Sequence, residues 1–237
     1  MNIPNSIPQS RYGMPAADQI LINRHYIIGY SYYFRQAKWA LEIISPNNPS
    51  ITRVDNFRPD FRIPTLFRTD LIDYRGSGYD RGHLVASMNQ KVDELQNSET
   101  FLLSNMSPQA QQFNRGIWKS LESDVRRLNE KARIFETYVI CGPIFYFDQP
   151  VQSIGSNDDN NVSIPIPNAY FKSVLVETNR GSLNMWSFII PNVATDQPTD
   201  SFRVPTSKVE QYTGVKLWSE LQGRNIEREK ERIRKMW

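Results

Sequence analysis

Apolar residues crowd the first third of the chain in short runs set between polar breaks. Residues 20–22, 25–33 and 39–44 are rich in β-branched and aromatic side chains, which fit a pleated, half-buried surface and predict strands. Gln36-Ala37-Lys38 divides the second run from the third, and Ser45-Pro46-Asn47-Asn48-Pro49 closes the third. Such closely spaced strands predict an antiparallel sheet. Residues 53–78 scatter prolines among charges and end in Tyr74-Arg75-Gly76-Ser77-Gly78, so an extended loop running into a glycine turn is expected. Phe101-Leu102-Leu103 reads as a short apolar strand.

The period then changes. From Asn114 to Lys131 the apolar positions Ile117, Trp118, Leu121, Val125 and Leu128 recur at helical spacing, which predicts one amphipathic helix. Strand patterning returns over 134–147, 170–177 and 183–190, with a polar loop at 156–161. A late helix is expected from about Ser207, with Glu210 three residues on as a capping-box partner and Gly214 just past its end. No internal repeat is visible. Strands outnumber helices without βαβ alternation, which favours an α+β fold, a central antiparallel sheet with flanking helices. At 237 residues the chain is expected to be a single domain over 1–237, with 224–237 a charged C-terminal helix.

Composition adds exclusions. With 39% hydrophobic, 12% aromatic and 22% charged residues, the chain has the make-up of an ordinary globular protein. It contains no apolar run long enough to span a bilayer, and its first 19 residues carry three prolines and no apolar core. No membrane partner and a cytoplasmic location are therefore expected. The single cysteine, Cys141, precludes an intramolecular disulfide and a cysteine-based zinc site, and its apolar neighbours predict a buried thiol. The net charge of +3 sits at the end: residues 224–237 hold six basic residues against three glutamates, leaving 22 basic and 22 acidic residues elsewhere. Affinity for a polyanion must then come from the local placement of arginines.

The candidate chemistry follows from scarcity. Only His25 and His83 are available as imidazoles. His25 sits in the strand-like run Arg24-His25-Tyr26-Ile27-Ile28 with no carboxylate or amide cluster and reads as structural. His83 ends Tyr79-Asp80-Arg81-Gly82-His83, just past the glycine turn, where a short strand can present it at a cleft. Downstream, Asn114, Trp118, Glu122 and Arg126 follow at four-residue steps, each advancing about 40° around a helix, so they share one side. A neutral imidazole accepts a proton from water near physiological pH, which makes His83 the candidate general base. The amide oxygen of Asn114 suits a hard ion such as Mg²⁺, with Mn²⁺ as a substitute, where water and phosphate complete the shell. Arg53 and Arg126 can brace a phosphate bidentately, and Glu122 can hold water beside the metal. Asp80 and Arg81 have two open readings that do not exclude each other, a local ion pair under the hairpin and a direct place for Arg81 in the site. Arg58 and Arg115 read equally well as solvated charges and stay outside the set.

The segment resembles the ββα-metal, DNA/RNA non-specific endonucleases, a family that includes endonuclease G. The likeness runs through residues 53–60, the signature Asp80-Arg81-Gly82-His83, residues 101–109, and Asn114-Arg115-Gly116-Ile117-Trp118 to Leu121-Glu122. It is clearest over about residues 50–130. The resemblance implies a ββα-metal motif with His83 as general base, Asn114 as metal ligand and Arg53 on the phosphate. It implies that Glu122 and Arg126 match the helix glutamate and arginine, and that Asn105 is a supporting asparagine. It implies hydrolysis of DNA and RNA through backbone contacts, leaving a 5′ phosphate. One departure touches loop shape: Leu84-Val85-Ala86-Ser87 follows the signature where the family usually has Ala-Pro-Ser or similar. Two alternatives stay open, a catalytically silent nucleic-acid-binding domain and a nuclease effector of a bacterial immunity or toxin system. A homodimer, or an inhibitory or activating partner, is compatible with either.

Overall fold

A computed structural model describes residues 7–44, 51–155 and 162–236. Its centre is a seven-stranded antiparallel sheet built from β1 (Gln19–Ile22), β2 (Tyr26–Ser31), β3 (Gln36–Ile43), β6 (Ile134–Ile144), β9 (Ala169–Thr178), β10 (Leu183–Pro191) and β11 (Arg203–Val204), in the spatial order β1-β2-β3-β6-β9-β10-β11. Two small pairs stand apart from it, β4 (Tyr79–His83) with β5 (Met106–Ala110), and β7 (Ser153–Ile154) with β8 (Ile164–Pro165). The helices are α1 (Leu71–Tyr74), α2 (Glu94–Glu99), α3 (Gln111–Phe113), α4 (Lys119–Asn129), α5 (Thr206–Thr213) and α6 (Arg224–Lys230).

The sheet is covered on both faces, and period-2 alternation sends neighbouring residues into different cores. On one side Ile28, Ala40, Val139, Cys141 and Val174 pack under Trp118, Leu121, Val125 and Leu128. On the other, Ile27, Leu41, Tyr138, Ile140 and Leu175 meet Tyr12, Val209, Leu217 and Trp218. This double burial is why the central strands read as nearly continuous apolar runs. Each fully buried aliphatic side chain contributes about 1.5–3 kcal/mol relative to exposure, so the Leu121, Val125 and Leu128 stripe is what seats α4. A smaller cluster of Tyr74, Leu103, Met106, Ile154 and Ile164 lies under the two outer strand pairs.

Several expectations need correction. Residues 53–78 are not wholly loop: Asp70 and Asp73 form a reciprocal capping box that makes α1, and Thr65–Phe67 is a 3₁₀ turn. Phe101 to Leu103 is not a strand, since Phe101 lies in a turn, Leu102 makes one isolated bridge to Arg58, and a 3₁₀ turn begins at Leu103. The predicted helix at Asn114 is α3, a π-helical turn at Asn114–Trp118, and α4 in succession. The last strands end sooner at one point: β6 stops at Ile144 rather than 147. His25 lies in the bend between β1 and β2, half-buried, not within a strand. Glu210 does not cap α5, which starts after Pro205 without a side-chain cap; it accepts from Leu217 N–H at 2.8 Å and Lys230 Nζ at 2.9 Å, while Gly214 adopts the left-handed cap with φ 63°. Finally, the C-terminal helix covers only Arg224–Lys230. Beyond it, Arg203 Nη1 and Trp186 Nε1 donate to the carbonyls of Arg234 and Lys235, bonds that compete with helical ones. The expected polar loop at 156–161 lies outside the described residues.

Candidate active site

The hairpin of β4 and β5 pairs Tyr79 with Ala110, Asp80 with Gln109, Arg81 with Pro108, Gly82 with Ser107 and His83 with Met106. Glycine at position 82 has a steric cause: a Cβ there would lie 2.1 Å from Oε1 of the buried Gln109. Entry into β4 relies on Gly76 and Gly78 at φ 69° and 81°, where side chains are strained. The π-helical turn then brings Asn114 against the hairpin, where its Nδ2 donates to Asp80 Oδ2 at 2.9 Å. Arg115 closes on the same carboxylate with Nε at 2.9 Å and Nη2 at 2.7 Å. Burial pushes the Asp80 carboxyl up, but Arg115 and Asn114 more than offset this, holding it below the ordinary value of 3.8. With its amide nitrogen engaged by Asp80, Asn114 has its carbonyl oxygen left to offer as a ligand at the cleft it lines. The anticipated Asp80–Arg81 ion pair is therefore replaced by Asp80–Arg115, and Arg115 is not a plain solvated charge.

Arg81 instead lies over the ring of Phe57, 4.2 Å from its centroid, and Arg53 lies over Phe101 at 4.8 Å. These two phenylalanines make edge contacts with His83, at 5.7 and 5.0 Å between centroids, and with each other at 5.0 Å. The imidazole thus sits in an aromatic triangle with a guanidinium on each outer ring. Its Nε2 is shut off from solvent and has no hydrogen-bond partner. Burial, then the charges of Arg53 and Arg81, push its pKa down from 6.5 to about 3. The ring is neutral at physiological pH. Phe57 and Phe101 were not recognised as site residues from sequence; the signal available was the Asn-Phe-Arg-Pro run and the apolar step before Leu102.

Behind the histidine, Asn105 is fully buried and acts as a backbone clamp. Its Oδ1 accepts from Val85 N–H at 2.9 Å, and its Nδ2 donates to the carbonyls of Val85 and Thr100. It fixes the strand exit that presents His83. Trp118 Nε1 donates to the His83 carbonyl at 3.2 Å, tying the helix to the same point. Glu122 and Arg126 lie one and two turns further along α4. Burial raises the Glu122 carboxyl above its ordinary value, against the pull of Lys172, Arg126, Lys119 and Arg53. Arg126 is held by Asn89 Oδ1 at 3.0 Å and Ser123 Oγ at 2.9 Å. An open cleft of about 550 Å³ is lined by Arg53, Phe57, Tyr79, Arg81, Asn114 and Arg115, with Tyr74 and Arg75 beside them.

Of the sequence-predicted residues, the structure gathers Arg53, Arg81 and Asn114 at the cleft, with His83 on the Phe57 ring at its wall. Glu122 and Arg126 are not among the residues that line this cleft and lie further along α4, while Asn105 stands behind His83. Among the described residues no three His, Cys, Asp or Glu side chains cluster as a metal-binding group, so any cation here would rely on few protein ligands.

Comparison with known proteins places this arrangement. Residues 4–223 match the DNA/RNA non-specific endonuclease family. The chain is 31% identical over 234 residues to mitochondrial endonuclease G of Caenorhabditis elegans, covering 92% of this chain and 74% of that protein. It is 30% identical over 219 residues to mitochondrial endonuclease G of Homo sapiens, covering 87% and 71%. Nuclease C1 of Cunninghamella echinulata var. echinulata is 31% identical over 234 residues, covering 92% and 90%. A crystal structure of an EndoG/EndoGI complex superposes with a TM-score of 0.83 at 30% identity, over 94% of each chain. With the α+β sheet, the Asp80 to His83 hairpin and the cleft arginines in one frame, this chain belongs to the DNA/RNA non-specific endonuclease family.

Proposed function

We propose that the protein hydrolyses phosphodiester bonds of DNA and RNA with His83 as general base, in the presence of Mg²⁺ or, in its place, Mn²⁺, and leaves a 5′ phosphate. The observation that carries this reading is the neutral imidazole of His83, held by Phe57 and Phe101 at the wall of the arginine-lined cleft with a guanidinium over each of those rings. Part of its lowered basicity comes from Arg53 and Arg81, and a bound phosphate offsets those charges. The imidazole therefore becomes more basic when substrate arrives. It takes one proton from the water that attacks phosphorus, the bond to the 3′ oxygen breaks, and that oxygen is protonated by solvent.

The donor set suits a hard divalent cation. Asn114 offers an amide oxygen, its side chain being held by Asp80, and Glu122, further along the same helix, is the carboxylate that would hold a water of the cation's shell. When bound, such a cation supplies charge neutralisation at the phosphoryl oxygens and the departing oxygen. Arg53, Arg81 and Arg126 orient the phosphate; contacts of this kind carry no base information, so sequence preference is low. Residues 1–237 are taken as one folding unit. Because such an activity endangers its own cell, a protein inhibitor that blocks the cleft is part of the proposal, and the solved EndoG/EndoGI complex, in which EndoG is inhibited, supports it.

Plasmid DNA and single-stranded RNA, each incubated with the protein in Mg²⁺ or EDTA, test the reading. Cleavage of both in Mg²⁺ alone is expected, with Asn114→Ala folded but no longer responsive to the metal. Equal cutting by His83→Ala and wild type would exclude the proposed base. Binding without cleavage under every condition would favour the silent binding domain, against which stand the intact His83, Asn114 and Glu122.

A further inference from the structure

Glu42 lies on β3 in the middle of the sheet, 1% exposed, and no step of hydrolysis described above uses it. Its Oε1 accepts from Asn89 Nδ2 at 2.8 Å and its Oε2 from Gln90 Nε2 at 3.0 Å. Neither amide is free to turn over. Arg126 has donors only, so the atom of Asn89 that meets its Nη1 at 3.0 Å must be the oxygen, which leaves Nδ2 for Glu42. On the other branch the backbone N–H of Val92 donates to Gln96 Oε1 at 3.0 Å, so Gln96 Nε2 is the atom that reaches Gln90 Oε1 at 2.6 Å, and Gln90 Nε2 the one that reaches Glu42. Both branches start from groups that cannot accept, a guanidinium and a backbone N–H, and both converge on Glu42.

A carboxylic acid at this point would set its proton against an N–H donor, and so would an amide. Only the carboxylate satisfies both branches. Its countercharge is Lys172 on β9, 2% exposed, with Nζ 4.3 Å from the centroid of the Trp118 ring; the other titratable groups facing it are Glu122 on α4 and Cys141 on β6. The same loop is tied to Val54, the residue after Arg53. Asn97 Nδ2 donates to the carbonyls of Ser87 and Gln90, while its Oδ1 accepts from Val54 N–H at 3.0 Å.

We propose that Glu42 is a positioning residue for the phosphate-bracing Arg126, acting through a one-way relay in which its carboxylate fixes the orientation of the Asn89 amide. The relay rests on the role given to Arg126 above. It extends the site from the helix that carries Arg126 into the sheet beneath it, and it makes Asn89 a switch of hydrogen-bond direction: turned over, it would present N–H groups to a cation.

Substitution distinguishes the relay from ordinary packing. Glu42→Gln is expected to lower kcat/KM on the order of tenfold to a hundredfold, the range lost when a partner behind a functional side chain is removed. Adding Asn89→Asp to it restores an acceptor on both sides of position 89 and is expected to recover most of that loss. In an Arg126→Ala background, Glu42→Gln adds nothing further. Infrared difference spectra of wild type and Glu42→Gln at mildly alkaline pH show whether the carboxyl is ionised, independently of activity. A folded Glu42→Gln with wild-type kcat/KM, a double variant no better than the single, or a protonated-acid band assigned to Glu42 each overturns the relay. If Glu42→Gln alone does not fold, Asn89→Asp is compared with the double variant, and a double no more active than Asn89→Asp overturns it too. Wild-type activity in Arg126→Ala would refute the phosphate role of Arg126 and the relay with it, whereas an impaired Arg126→Ala beside an unimpaired, folded Glu42→Gln overturns the relay alone.

Discussion

Two buried glutamates, Glu42 on β3 and Glu229 on α6, solve the same problem in opposite ways. Glu229, 7% exposed, is neutralised where it stands: Arg234 clamps both its oxygens, Arg232 approaches to 3.5 Å, and Met185 N–H donates at 3.1 Å. Burial pushes its carboxyl up, but these partners win and hold it below the ordinary value of 4.5. Glu42 meets neutral amides instead, and burial outweighs Lys172, Gln90 and Asn89, pushing its carboxyl up to about 7. The first arrangement is a closed fastening that ties the C-terminal segment to β10. The second leaves its charge incompletely compensated and hands hydrogen-bond direction onward to Arg126. One carboxylate fastens a chain segment, and the other, in the relay proposed above, orients a site residue.

The largest effect expected on the functional side is at His83. His83→Ala should lower kcat by roughly 10²–10⁴-fold, the contribution of a positioned general base, while the melting midpoint moves by no more than a few degrees. A collapse in stability of the same variant would erase the division just drawn. The mirror image is Glu229→Gln. Loss of its charged bonds should cost about 2 kcal/mol, which for a chain of this size lowers Tm by roughly 4–8 °C, with kcat/KM unchanged at a temperature where the protein is folded. Reduced activity there would show that the fastening also serves the site.

The pH dependence of stability should have opposite signs at the two residues. Glu42 titrates higher in the folded state than its ordinary 4.5, so the native protein holds the extra proton between 4.5 and about 7. Its contribution to stability therefore declines as pH rises through that window, by roughly 3 kcal/mol in all. Glu229 titrates lower when folded; its contribution is present above 4.5 and is lost as pH falls below that value. Melting curves of each Gln variant against wild type across this range isolate the two slopes, and slopes of the same sign would break the contrast. The smallest effect belongs to Arg75, an exposed cation lining the cleft. Arg75→Ala should weaken nucleic-acid binding a fewfold and reduce the slope of log affinity against log salt by about 0.9, the value of one phosphate contact. An unchanged slope would place it outside the substrate path.

Much of this was legible in the chain, for definite reasons. The long strands announced themselves because β-branched and aromatic residues fill positions buried on both faces, and α4 because Leu121, Val125 and Leu128 keep its period. His83 stood out because only one other imidazole competes with it. What stayed hidden depends on partners distant in sequence. The four-residue helix α1 exists through the Asp70 and Asp73 box rather than any periodicity. Phe101 resembles a strand residue until its contact with His83 is seen. Arg115 looked like surface because its carboxylate is 35 residues away, and Asn89 stands 47 residues from Glu42 and 37 from Arg126. Direction in an amide chain leaves no mark in composition at all.

The π-helical turn at Asn114–Trp118 sets the angular phase between two otherwise independent parts. Trp118 and the apolar stripe of α4 are locked to the sheet, whereas Asn114 is locked to Asp80 on the hairpin. In an α-helix each residue turns the axis by about 100°, so a chain one residue shorter within this turn would keep the stripe seated and swing Asn114 away from Asp80 by about that angle. The bulge is in this sense a gear offset. Length in this stretch, more than residue identity at exposed Gly116, decides whether a well-folded descendant still has a site.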